Sequence, residues 1–396
     1  LSMDKKMNLA HIIPVLMSFF VMSFIDLVGT GVDELKKEGS IPAHILQLIP
    51  FVAFIWFFFL SVPIGLWQDK IGKKKVLLYG IIITAVALFI PIFGNTLPVI
   101  LTAFSLIGIG NTILQVAANP LLVDVVPQER ASSMLSFSQF IKAIGSMVGP
   151  FIAAKVGPFL AQSFGMAGEG EWRFALYLFA VVSVLTAFWL SSVKINESKK
   201  ANDAKKTSFS SCIQLLGNRF IALMVLGIFF VVGIDVAMNS NIGTYLIDKI
   251  SIDEEAAKYG KSIYFFAKML GAFLGAILLT KISAKKFLIG SAWLSIFTFI
   301  VLIFVPNELT AWVLIFLIGL GIANIFPLIF SIAVEKKPEY SNEISGLMMM
   351  AISGGAFLPF VVGLTMSKIS LETGILVLLI STAYLLFLGY FSPRKA

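Results

Sequence analysis

A chain of 396 residues that is 58% hydrophobic and only 13% charged cannot be a water-soluble globule, where about 25% charge is usual. Its single cysteine, Cys212, and two histidines, His11 and His44, exclude a disulfide framework and a Cys- or His-built metal centre, so neither metal nor cofactor is expected. The net charge of +8 sits in short loops between apolar runs, which fits orientation in a bilayer and not binding of nucleic acid.

A bilayer core about 30 Å thick takes roughly 20 apolar residues per helix, and twelve runs qualify. The first, 9–32, holds Asp26; no small-residue cleavage site follows it, so it reads as a span and not a leader. The second and third, 43–67 and 75–93, are joined by G-L-W-Q-D-K-I-G-K-K-K, from Gly65 to Lys75. The fourth, 97–124, carries Gln115 and Asn119, the fifth, 131–154, carries Gln139 and Lys142, and the sixth is 172–193. A polar stretch from Lys194 to Ser211 then reads as a flexible linker. Beyond it come 218–246 with Asp235, Asn239 and Asn241; 261–280 with Lys268; 286–305; 310–334 with Asn324; 343–366; and 371–391. Pro50, Pro120, Pro150, Pro327 and Pro359 are the expected kinks, tolerated where neighbouring helices re-satisfy the backbone.

This pattern predicts an all-α membrane protein: an N-terminal six-helix bundle over 1–193, a cytoplasmic linker over 194–212 and a C-terminal six-helix bundle over 213–396. Most of the 30 Lys and Arg residues fall on the side that holds both termini, the linker and the Lys73–Lys75 loop. The positive-inside rule therefore puts both termini in the cytoplasm, which an even number of spans satisfies. The halves also look alike: F-V-M-S-F-I-D ending at Asp26 aligns with F-F-V-V-G-I-D ending at Asp235, 209 residues on, and the same offset carries Pro150 onto Pro359. Repeats of this kind build transporters with their solute site at the bilayer midplane.

Four ionisable residues lie well inside spans: Asp26, Lys142, Asp235 and Lys268. A charge at the bilayer centre costs at least about 2.5–3.5 kcal/mol, so such groups pair with one another or face a cavity. The expected pairs are Asp26 with Lys142 and Asp235 with Lys268. The same acids are the candidates for proton coupling, because a carboxylate whose surroundings alternate between dry and ammonium-paired takes up and releases a proton. Asp26 is the first choice and Asp235 the second. Gln115, Asn119, Gln139, Lys142, Asn239, Asn241, Lys268 and Asn324 are the candidate solute contacts, amides offering the paired donors and acceptors that hydroxyls need.

The Gly65–Lys75 loop resembles the signature loop of the major facilitator superfamily, with Gly65, Asp69, Gly72 and Lys73 in its conserved places as a gating motif. The second-half copy, T-K-I-S-A-K-K from Thr280 to Lys286, has lost the acid. Q-V-A-A-N-P (Gln115 to Pro120), V-G-I-D-V-A (Val232 to Ala237) and the stretches Gly319 to Ala333 and Ser345 to Pro359 are similar to segments of the fucose–galactose–glucose:proton symporters. That resemblance implies twelve helices, a central cavity, a monomer in the plasma (inner) membrane, and sugar uptake driven by protons. Departures are visible. Gln115 stands where that family has a titratable Glu, and Asp26 lies about one turn before the family's helix 1 acid, which falls near Gly29 or Thr30. Lys142 replaces an Asn, and Ala272 replaces an Arg with Lys268 one turn before it. A neutral sugar is the first expectation. The alternatives are an anionic sugar such as a sialic acid or uronate held by Lys142, or a uniporter or antiporter. An enzyme is excluded by the lack of any nucleophile–base cluster, and a channel or receptor would not explain the duplicated halves.

Overall fold

The structure is a computed structural model that describes residues 9–28, 31, 35, 48–94, 96–165, 170–195, 197, 209–305 and 307–392. His44, Gly29, Thr30 and most of the 194–212 linker lie outside the described residues. Among those described, every regular element is a helix. The twelve predicted runs become α1 (Leu9–Met22), α2 (Leu48–Ile71), α3 (Lys73–Phe89), α4 (Leu97–Val125), α5 (Ala131–Phe151), α6 (Arg173–Ser192), α7 (Arg219–Ile250), α8 (Glu254–Leu278), α9 (Ala284–Ile303), α10 (Glu308–Lys336), α11 (Pro338–Lys368) and α12 (Leu371–Phe391).

Nine of these helical runs are long and apolar enough to cross a membrane among the described residues. The other three fall short for readable reasons. The α3 helix has 17 residues and opens on three lysines. The α5 helix is interrupted by serines and Lys142, and α8 opens on charged residues, leaving Ser262–Leu278 as its apolar part. Outer surfaces are apolar: Phe59, Phe188, Phe297 and Phe360 are each more than half exposed, an arrangement that lipid accommodates and water does not.

Breaks in the helices do not all coincide with prolines. Pro50 and Pro327 sit in the first turns of α2 and of the second piece of α10 (Ile325–Lys336), where a missing N–H costs little. Pro120 and Pro359 lie within continuous helix. Pro150 adjoins an irregularity, the π-turn Ile152–Val156, and Pro327 follows the Ala323–Asn324 step in α10. The other breaks are a 3₁₀ turn, Ser23–Asp26, that follows α1 and leads back into helix at Leu27 and Val28, and a 3₁₀ turn, Ala351–Ser353, in α11.

The chain divides into two compact units, 1–127 with 141–209, and 128–140 with 210–396, so that α5 is shared between them. Inside the first unit α4 packs on α1, α2 and α3, and α3 on α6. Inside the second, α10 packs on α7, α8 and α9, and α9 on α12. The duplicated plan extends to single residues. A Cβ on Gly108 would collide with the Ala53 carbonyl oxygen, and one on Gly319 with the Tyr264 carbonyl oxygen. Gly110 meets Thr84, whose hydroxyl donates to the Gly80 carbonyl; Gly321 meets Ser295, whose hydroxyl donates to the Ser291 carbonyl. All five residue matches lie 211 apart. Close helix approach thus depends on small residues at equivalent points, as membrane interfaces generally require.

That geometry makes Gly108→Ala a costly change. The new methyl has only backbone in front of it, so overpacking should cost about 1–3 kcal/mol. Gly290→Ala is the control: nothing lies within 4 Å of its Cβ position, and the helix gains about 0.5–1 kcal/mol from losing a glycine. Thermal unfolding of the purified proteins in detergent should therefore move down for the first and not for the second; equal midpoints would refute the close-packing argument.

Candidate functional site

In the second unit α7 and α8 run side by side and bring three polar groups together. Tyr264 and Lys268 are four residues apart on α8 and so share one face. Tyr264 Oη donates to Asp235 Oδ1 at 2.9 Å, and Lys268 Nζ donates to Asp235 Oδ2 at 2.6 Å. The Lys268 ammonium also lies 5.8 Å and 5.9 Å from the ring centroids of Tyr264 and Phe265, within cation–π range. Tyr264 is fully buried, whereas Asp235 and Lys268 keep 30% and 23% of their side-chain surface open. The expected Asp235–Lys268 pair is therefore present, with a tyrosine completing it.

Asn239, one turn beyond Asp235, is half-buried and makes no side-chain hydrogen bond among the described residues. Asn241 instead donates to the carbonyls of Ala237 and Pro359, tying α7 to α11. Asn324 fills the break in α10 and donates to the Gly271 carbonyl at 2.7 Å. Its side chain lies against Gly275, so it joins α10 to α8. Its buried Oδ1 has no protein partner among the described residues.

The first unit is built differently. Asn111, Gln115 and Asn119 stand at four-residue spacing on α4, on one face. Asn111 Nδ2 donates to the Met22 carbonyl at 2.5 Å, Gln115 Nε2 donates to Asn111 Oδ1 at 2.8 Å, and Asn119 Nδ2 donates to the Gln115 carbonyl at 2.9 Å. This ladder fastens α4 to the end of α1, just where the 3₁₀ turn presents Asp26. The acid does not pair with Lys142. Its Oδ2 accepts a hydrogen bond from Ser146 of α5, whose Oγ is also 3.1 Å from the Lys142 carbonyl oxygen. Among the described residues Lys142 has no ion-pair partner, and Gln139 one turn earlier has no hydrogen-bond partner. The expected Asp26–Lys142 pair is not formed: the 3₁₀ turn brings the carboxylate opposite Ser146, one turn further along α5, and not opposite Lys142.

The signature loop has an electrostatic problem and a visible solution. Three lysines open α3, where the helix dipole disfavours positive charge. Gly72 takes φ 94°, a conformation costly for other residues, and turns the chain from α2 into α3; Gly65 and Asp69 lie in the last two turns of α2. The Lys73 ammonium is paired with Asp124 of α4 at 2.7 Å, both side chains buried. Lys74 reaches away to the carbonyls of Ser191 and Val193 at the end of α6, 3.0 and 2.6 Å. The Glu197 carboxylate takes the amide hydrogens of Lys73 and Lys74, at 2.6 and 3.0 Å, and so supplies the cap that Gly72 cannot. The second unit keeps part of this: Lys285 donates to the carbonyls of Tyr390 and Ser392 at the end of α12, as Lys74 does for α6.

Tyr264, Ser146, Asn111, Asp124 and Glu197 were not singled out by sequence. Tyr264 had a signal, its place one turn from Lys268. Asn111 had one too, as the next step of the Gln115–Asn119 spacing. Ser146 and Glu197 had none.

Comparison with known proteins places this geometry. A family model described as Major Facilitator Superfamily matches residues 15–360. The chain is 28% identical over 387 residues to a glucose/galactose transporter of Brucella abortus biovar 1, covering 95% of this chain and 92% of that one. It is 23% identical over 349 residues to the L-fucose-proton symporter of Escherichia coli strain K12, covering 80% and 77%. Its fold matches a crystal structure of the E. coli fucose:proton symporter with a TM-score of 0.82 at 20% identity, over 98% of this chain and all of that one.

Proposed function

Because the chain belongs to the Major Facilitator Superfamily, we propose that it is a secondary active transporter that takes up a monosaccharide or sugar-like solute together with protons, by alternating access. The observation that carries the substrate class is the near full-length similarity to a glucose/galactose transporter; proton coupling is supported by the fucose-proton relative and by the two acids duplicated 209 residues apart. It works as a monomer in the plasma (inner) membrane, with both termini in the cytoplasm.

Roles follow from what each polar group is already doing. Gln115, Asn119, Asn241 and Asn324 spend their amide donors on the protein, and they hold helices in place first. Among the described residues Gln139, Lys142 and Asn239 do not, and they are the foremost solute contacts. Asp235 and Lys268 form a lock between α7 and α8 that a solute hydroxyl can enter from its open side. Asp26 carries the proton. Gly65, Asp69, Gly72 and Lys73 serve as the gating motif, their loop held at one end by the Lys73–Asp124 pair.

A second reading is favoured by one observation, the lack of an ion-pair partner for Lys142 among the described residues. An ammonium in a span is costly when alone, and the carboxylate of an acidic sugar would neutralise it. Uptake into proteoliposomes separates the readings, using labelled neutral, amino and acidic sugars with and without an acid-outside gradient. The expected result is accumulation of a neutral monosaccharide only with the gradient. Accumulation of acidic sugars alone would select the second reading, gradient-independent equilibration would make the protein a uniporter, and no uptake of any sugar would refute sugar transport.

A further inference from the structure

The two duplicated acids differ in one respect that hydrogen-bond chemistry makes decisive. Asp235 accepts from the Tyr264 hydroxyl on Oδ1 and, on Oδ2, from an ammonium, which has donors only, so the oxygen beside Lys268 is always an acceptor. Asp26 faces a hydroxyl, which can donate or accept. The residue 209 positions beyond Ser146 is Gly355, so the second half has no hydroxyl at the equivalent place; the one that meets Asp235 comes from Tyr264 of α8 and shares the carboxylate with an ammonium.

We propose that Ser146 reports the protonation state of Asp26 to the backbone of α5, a positioning role that rests on reading Asp26 as the proton carrier. Ser146 has a single hydroxyl proton and two acceptors in reach, Asp26 Oδ2 and the Lys142 carbonyl. While Asp26 is ionised, that proton points to the carboxylate. When Asp26 takes a proton from water, its new O–H donates to Ser146 Oγ, and the Ser146 hydroxyl turns to the Lys142 carbonyl. No covalent bond at Ser146 is made or broken, and loss of the proton reverses the order.

The backbone on which this acts is weak at that point. The Lys142 carbonyl receives the Ser146 amide as part of the helix, and a second bond from the same residue's hydroxyl bends helices. One turn on, Pro150 has no N–H for the Ser146 carbonyl, and the π-turn Ile152–Val156 follows, a rare element often found at functional sites. A change of one hydrogen bond at Lys142 thus falls on a stretch of α5 with little helical reinforcement behind it. The other charged groups on the elements around Asp26 are engaged or distant in sequence. On α1 there is only His11 near its start. On α3 there are Lys73, Lys74, Lys75 and Tyr79, and on α4 Asp124, which Lys73 neutralises. On α6 there are Arg173 and Tyr177, in its first two turns. Lys142, one turn before Ser146, and Lys155, in the π-turn that continues α5, are the remaining cations.

The test uses the purified full-length protein without substrate. Acidification should produce a carboxylic-acid C=O band in the infrared difference spectrum that is absent from Asp26→Asn. It should also change amide hydrogen exchange in the 142–156 stretch. In Ser146→Ala the band should move to higher wavenumber, having lost its partner, and the pH dependence of exchange in that stretch should disappear. Ser146→Thr, which keeps the hydroxyl, should restore both; should Ala prove unstable, Ser146→Cys with its weak donor should give a partial loss. Wild-type pH dependence of exchange in Ser146→Ala overturns the proposal and leaves Asp26 in place. An undiminished acid band in Asp26→Asn overturns the reading of Asp26 and the proposal with it.

Discussion

Replacing Asp26 by Asn is expected to abolish gradient-driven accumulation while leaving solute exchange across the membrane. A proton gradient supplies about 1.4 kcal/mol per pH unit, so a one-proton symporter accumulates solute about tenfold per unit. The amide keeps the shape and a hydrogen-bond acceptor for Ser146, but it cannot take up or release the proton, and the accumulation ratio should fall to one. Counterflow needs no net proton movement and should persist. Asp235→Asn should behave differently. It strips Lys268 of its counter-ion and leaves an ammonium in a span, so the folded protein should suffer first, and Asp235→Asn with Lys268→Met together should recover stability. Undiminished accumulation by Asp26→Asn, measured in proteoliposomes with an acid-outside gradient, would remove Asp26 from the proton path.

The second large effect is expected at Lys73→Met. Lys73 and Asp124 are 5% and 9% exposed, and removing one partner of a buried pair costs about 3–5 kcal/mol. Removing both charges in Lys73→Met with Asp124→Leu should restore most of that loss, because a well-packed apolar pair is often as stable as a buried ionic one. Thermal unfolding in detergent gives the three midpoints. A single variant as stable as the wild type would mean that the pair does not secure the loop.

All twelve helices were legible because a bilayer demands long apolar runs and the chain has little else. The Asp235–Lys268 pair was legible for the same reason: two opposite charges in adjacent spans have few other ways to be neutralised. Asp26 and Lys142 obey the same logic and yet do not pair; the carboxylate lies opposite Ser146 instead, and serines are too common in membrane helices to stand out. The repeat was only half visible. Asp26 with Asp235 and Pro150 with Pro359 give one offset, 209, whereas Gly108 with Gly319, Gly110 with Gly321 and Lys74 with Lys285 share another, 211. A comparison at a single register finds the first set and misses the second. The chain is two residues shorter between Asp26 and Ala53 than between Asp235 and Tyr264, and the connection after α4 restores the register, since surface connections tolerate changes in length that packed helices do not. The loop copy from Thr280 to Lys286 looked eroded for a related reason. Its acid and the Lys73 counterpart are gone, Ala284 standing in the latter's place, while the lysine that reaches the neighbouring helix end survives as Lys285.

Glu197 changes where the first half can be cut. Its carboxylate belongs to α3, holding the amides of Lys73 and Lys74, although it lies five residues beyond the last residue of α6. Anyone expressing the two halves as separate polypeptides, or fusing a reporter between them, should break the chain after this residue and not at the end of the sixth span. A fragment that stopped at Val193 would retain every hydrophobic segment and still lose the clasp on its own signature loop.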